Sequence, residues 1–236
     1  MSRLISKDFE ELCSFLKKYN LSSVLNDADA KKIYSACHKK YYALLILTEE
    51  LRNVAKVSNS QSTLSSDQFN FLQETCSDIG QAYFLTFNGC YKGAKLLLRC
   101  SIENHLKGIC MDEKPLIVST KSVYEVFDIA EETSVFSNNK KNLLDSLHNI
   151  YSLLCRDVHT AGKEHMASIT ALSYFPTFSE NECRKIQNYI QTLVKDYITN
   201  VALKFNIFYH KINYNHKEIL NKEIIKEYKQ LVQNIV

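Results

Sequence analysis

The sequence predicts an all-α protein, a multi-helix bundle with additional N- and C-terminal helices, and three observations carry that expectation. Glycine and proline are scarce, 5 and 2 in 236 residues, so the turn punctuation that many short strands require is missing. Apolar residues recur at intervals of three and four over long stretches, which is the spacing of a helix face rather than of a strand. Ser65, Ser122 and Ser179 each stand three residues before a Gln or Glu, the capping-box pattern that opens helices.

Taken in order, the first predicted helix follows Ser6, with Asp8, Glu10 and Glu11 near its start, Lys17 and Lys18 near its end, and Phe9, Leu12, Phe15 and Leu16 on one face. From Asp29 a longer helix carries Ile33, Cys37, Tyr41, Leu44, Thr48, Leu51 and Ala55, a rhythm suited to a long antiparallel neighbour. The serine-rich Ser58 to Ser66 reads as a flexible connection and marks residues 1–62 as a helical arm. Ser65 with Gln68 then opens a helix bearing Phe69, Leu72, Cys76, Ile79, Tyr83 and Phe87, which Asn88-Gly89 stops. Its partner carries Ala94, Leu98, Ile102, Leu106 and Ile109, with Arg99 and Glu103 one turn apart at the stripe's edge and in reach of each other.

Ser122 with Glu125 opens a short helix through Val126, Phe127 and Ala130, and Ser137 to Lys140 separates it from one carrying Leu143, Leu147, Ile150 and Leu154. The stretch ASITALSYFP, rich in Thr, Ile, Tyr and Phe, reads as a loop or a short extended piece. Ser179 with Glu182 opens a long helix whose Ile186, Ile190, Leu193, Tyr197 and Val201 face inward and which ends near His210 to Asn215. A last helix presents Leu220, Ile224, Leu231 and Ile235.

Composition narrows the class. At 45% hydrophobic and 23% charged residues, the chain can bury a real core and is not a disordered segment. Charges interrupt the N-terminus where a secretory signal needs an apolar run, and the stretch Tyr41 to Leu47 is far too short to span a bilayer, so a cytoplasmic protein without a membrane partner is expected. Eight dispersed cysteines, Cys13, Cys37, Cys76, Cys90, Cys100, Cys110, Cys155 and Cys183, form no C-x-x-C pair and read as reduced, half-buried residues rather than a zinc site. Of 29 basic and 26 acidic side chains, 9 and 6 fall in residues 179–236, so the whole excess of +3 lies there. That is thinner than the basic stripe with which proteins track a phosphate backbone.

Several chemistries are absent. Five glycines leave no phosphate-cradling loop of either common kind, and no H-E-x-x-H occurs, so neither a nucleotide cofactor nor a metal is expected. Cys155 beside Arg156 is the nearest approach to an activated thiol, but it ends an apolar face. What remains is Arg156, Asp157, His159 and His165 where the Leu143 helix ends. Guanidinium grips phosphate oxygens with a forked geometry, and imidazole exchanges protons near neutral pH.

In LLLRCSIENHLKG and HNIYSLLCRDVHTAG, a long helix pair with an Arg-x-x-x-Glu element followed by a helix ending in Arg and then His, the chain resembles the HEPN superfamily over about Ser65 to Leu203. The resemblance implies a HEPN-like helical core over residues 63–203, with residues 204–236 as a C-terminal helix packed on it. It also implies a metal-independent endoribonuclease of a toxin-antitoxin or anti-phage defence system, completed across a homodimer. Arg156 and His159 are then the catalytic counterparts, with Arg99, Glu103, Asp157 and His165 in support. The superfamily's signature sets its arginine and histidine further apart than Asp157 and Val158 allow here. RNA is the implied substrate, and an antitoxin or defence subunit the implied protein partner. The alternative from the residues alone is a non-catalytic interaction or scaffold protein in which Arg156, Asp157 and His159 tie the helix end to the following loop.

Overall fold

The computed structural model describes residues 3–18, 22–56, 64–158 and 175–234. Among these residues the chain forms eleven α-helices and no strand: α1 Arg3–Lys18, α2 Ser22–Asn26, α3 Ala28–Lys56, α4 Ser66–Phe87, α5 Tyr91–Cys110, α6 Val123–Glu131, α7 Lys141–Val158, α8 Glu180–Lys204, α9 Asn206–Lys211, α10 Tyr214–Asn221 and α11 Lys229–Gln233. The all-α multi-helix bundle is therefore the architecture. No described helix is long and apolar enough to cross a membrane.

The serine caps act as their spacing predicts. Ser65 Oγ accepts from the Gln68 amide at 3.1 Å while Gln68 Oε1 accepts from the Ser65 amide at 3.0 Å, satisfying donors that the first turn of α4 leaves without helical partners. Ser122 and Ser179 accept from the amides of Glu125 and Glu182 at 3.5 Å as simple caps rather than full boxes, and the Glu182 side chain goes to Lys95 instead. Two caps escaped the sequence reading: Asp27 Oδ1 accepts from the Ala30 amide at 2.7 Å and starts α3, and Asn213 Oδ1 accepts from the Asn215 amide at 3.0 Å and starts α10.

α4 and α5 form a tight antiparallel hairpin. Its turn needs Gly89, whose φ of +73° lies in the left-handed region and whose Cβ, if present, would fall 2.5 Å from the Thr177 carbonyl oxygen. α8 runs through the middle of the molecule against α3, α5 and α7, burying Ile186, Ile190, Leu193, Val194 and Tyr197. Polar groups at its centre meet one another: Tyr197 OH and Ser101 Oγ lie 2.8 Å apart, and the His105 ring stacks on Tyr197 at 4.2 Å with its Nε2 3.2 Å from Asn200 Nδ2.

The segment read as an arm packs on the bundle: α3 lies against α4 and α8 and shares one continuous core with them through Ile33, Cys37, Leu44 and Leu51. Two expectations change. α8 stops at Phe205 rather than near His210, and α9 follows at once. The single last helix is broken into α10, a 3-10 turn at Lys226–Tyr228 and α11. The break is held by Thr199 Oγ1, which accepts from the Ile225 amide at 3.1 Å, and by the buried Glu223 carboxylate on Lys40. It also shifts the helical phase, so Val232 is buried while Leu231 faces outward.

Candidate functional site

α5 and α7 run antiparallel, and α8 antiparallel to α7, so the C-terminal end of α7 meets the first half of α5 and the first turns of α8. Arg156 stands on the exposed side of this end. Its neighbour Asp157 points the other way and is only 5% exposed. The Asp157 carboxylate takes Lys185 from α8 at 2.7 Å and Lys95 from α5 at 3.1 Å, and Lys95 also reaches Glu182 at 2.6 Å. Burial pushes the Asp157 carboxyl up, but the hydrogen bonds from Lys185 and Lys95 outweigh it and hold the group below its ordinary range. One carboxylate thus fastens three helices, and its charge is spent on two ammonium groups away from Arg156.

His159 and His165 lie outside the described residues, as does the stretch ASITALS. Arg99 and Glu103, expected to pair, turn to different partners: Glu103 accepts from Lys107 at 2.7 Å, and Arg99 Nε donates to Tyr151 OH at 3.1 Å. The Arg99 guanidinium also sits 5.2 Å from the centre of the Tyr151 ring. Phe127 packs edge-on to Tyr151 and to His148, with centroids at 5.7 and 4.9 Å, and Tyr124 meets Tyr151 at 6.5 Å.

Lys95, Lys185, Tyr151 and Tyr124 were missed by sequence reasoning. Lys95 follows Ala94 on a helix that otherwise looks solvated on that side, and only the meeting of three helices gives it a partner. Tyr151 carried a signal, since it follows Ile150 on the same apolar stripe as Leu147 and Leu154.

No group of three or more His, Cys, Asp or Glu side chains among the described residues is arranged to hold a metal ion. A shallow depression of about 360 Å³ between α3 and α4 is lined by Tyr41, Ser77, Gly80, Gln81, Phe84 and Leu85. Its lining has neither carboxylate nor imidazole and so offers no acid–base pair. The chain matches no family model, no curated protein and no solved structure.

Proposed function

We propose that the protein is a HEPN-like, metal-independent endoribonuclease working in a toxin or anti-phage defence setting. The observation that carries the reading is the division of labour at the end of α7. Arg156 is exposed, and the adjacent carboxylate that would otherwise compete with phosphate is turned inward onto Lys95 and Lys185. In this reading Arg156 holds the scissile phosphate and stabilises the charge that builds on it, and His159 exchanges the proton of the ribose 2′-hydroxyl. The leaving 5′-oxygen needs a second proton-transfer group, which a second copy of the chain supplies in a two-fold homodimer.

The test is cleavage of single-stranded RNA in EDTA. Wild type should cut, whereas Arg156→Ala and His159→Ala should each lose about 10²- to 10⁴-fold in rate with melting temperatures nearly unchanged. Arg156→Lys should rescue poorly, because a point charge cannot reproduce forked contacts. Cleavage that survives both alanine variants overturns the reading.

A second reading, a non-catalytic interaction protein, is favoured by Leu116 and Val118 on the 3-10 turn Pro115–Val118, which are 71% and 37% exposed. A protein partner of the antitoxin or defence-subunit kind would cover them. In that case an Arg156→Ala variant keeps its partner while Leu116→Glu loses it in a pull-down.

A further inference from the structure

α6 buries Val126, Phe127 and Ala130 against the bundle, yet Tyr124 in its first turn leaves its ring 64% exposed. That ring is not loosely placed. It meets Tyr151 nearly at right angles, 82° with centroids 6.5 Å apart, and Tyr151 is itself buried and fixed from α5 by Arg99, whose Nε donates to its hydroxyl. Phe127 closes the other side of Tyr151 at 5.7 Å. The outcome is a pair of tyrosines at the surface, the inner ring held from α5 and α6 and the outer ring open to solvent. Exposed aromatic rings with a cation within reach suit unstacked nucleobases, because every base has a π-face and the adjoining backbone is anionic.

Charge around the ring is mixed and unevenly placed. α6 runs antiparallel to α7, so Tyr124 lies toward the end of α7 that carries Arg156. The exposed Lys121 just precedes α6, and the exposed Lys92 lies near the start of α5. Carboxylates are also present: Glu125 adjoins Tyr124, Asp128 lies one turn on, and Glu131 at the far end pairs with Lys141. The acidic side of α6 therefore repels a phosphate chain from one direction and leaves the Lys121 and α5 side for it to approach.

We propose that the exposed ring of Tyr124, braced by Tyr151 and Arg99, is a stacking seat for one unpaired nucleobase of single-stranded RNA bound at the α5, α6 and α7 face. This rests on the ribonuclease reading for its choice of RNA, and it adds how the strand is gripped away from the scissile phosphate. Arg99 acts here as a positioning residue that fixes the Tyr151 ring.

The experiment is fluorescence anisotropy with a labelled single-stranded RNA dodecamer, a duplex of the same sequence and the same strand carrying abasic sites. Tyr124→Leu should weaken binding of the intact strand roughly 5- to 150-fold, the range for loss of one base–aromatic stack, while Tyr124→Trp should retain it. The abasic strand should bind wild type weakly and be indifferent to Tyr124→Leu, and the duplex should show no dependence on residue 124. Equal affinity of wild type and Tyr124→Leu for the intact strand overturns the proposal. So does a Tyr124→Leu variant that dissociates a dimer in sedimentation with RNA affinity intact, which would make the ring an interface between copies. Lost cleavage in Arg156→Ala with unchanged binding in Tyr124→Leu refutes the seat alone. Binding that depends on Tyr124, with cleavage absent or insensitive to Arg156, refutes the ribonuclease reading alone.

Discussion

Removing the Asp157 carboxylate would leave the buried Lys95 ammonium with Glu182 alone among its described partners and would release Lys185 from α7. Breaking a buried pair from one side leaves an uncompensated charge, so Asp157→Ala should cost about 3 kcal/mol, the lower end of the usual range because Lys185 is partly exposed. Arg156→Ala, one residue away, should change stability by less than about 0.5 kcal/mol. Urea unfolding of the two variants side by side checks this, and equal losses would show that Arg156 is part of the tie. The sequence marks both residues as charges at a helix end. It cannot say which of them faces inward, because that depends on Lys95 and Lys185 arriving from helices distant in the chain.

At the level of elements, most boundaries set by local chemistry were readable, the Asp27 and Asn213 caps excepted, and those set by distant partners were not. Ser65 with Gln68 is a local device, and Ser65→Ala should cost about 1 kcal/mol by leaving the Gln68 amide without its acceptor. Gly89 is local too. Gly89→Ala forces a side chain into left-handed backbone and onto Thr177, so a loss of about 1 to 3 kcal/mol is expected, seen as a lower melting temperature with an unchanged helical circular dichroism spectrum. The break between α10 and α11 is different in kind. Its partners are Thr199 on α8 and Lys40 on α3, so an uninterrupted apolar rhythm through Leu220, Ile224 and Leu231 gave no sign of it.

For the whole molecule, the fold class was legible because helix periodicity is a property of short windows, whereas the particular neighbours of α3 and α8 in the core were not. Inside that core Asp196 is 1% exposed and receives a hydrogen bond from Ser146 Oγ at 2.8 Å; burial pushes its carboxyl up to about 7. The native state thus keeps a proton that the unfolded chain gives up near pH 4, so stability from this group is intact at low pH and is lost as pH rises through about 7. His105 works in the opposite sense: burial lowers it to about 3, so its contribution is present above the ordinary histidine range and is lost as pH falls. Asp196→Asn should keep the Ser146 contact and melt higher than wild type, by a margin that widens from pH 5 to pH 7 at no more than about 1.4 kcal/mol per pH unit. A constant margin would place the titration elsewhere.

The central position of α8 also governs the order in which the molecule can be made. Its buried face fits between α3, α5 and α7, all of which leave the ribosome before it does. Until Glu180 to Lys204 emerges, the nascent chain holds helices with an open apolar seam, and the contacts that close it join residues far apart in sequence. Chains stalled before Glu180 should therefore be protease-sensitive and held by chaperones, whereas chains stalled with α8 fully extruded should become resistant in a single step.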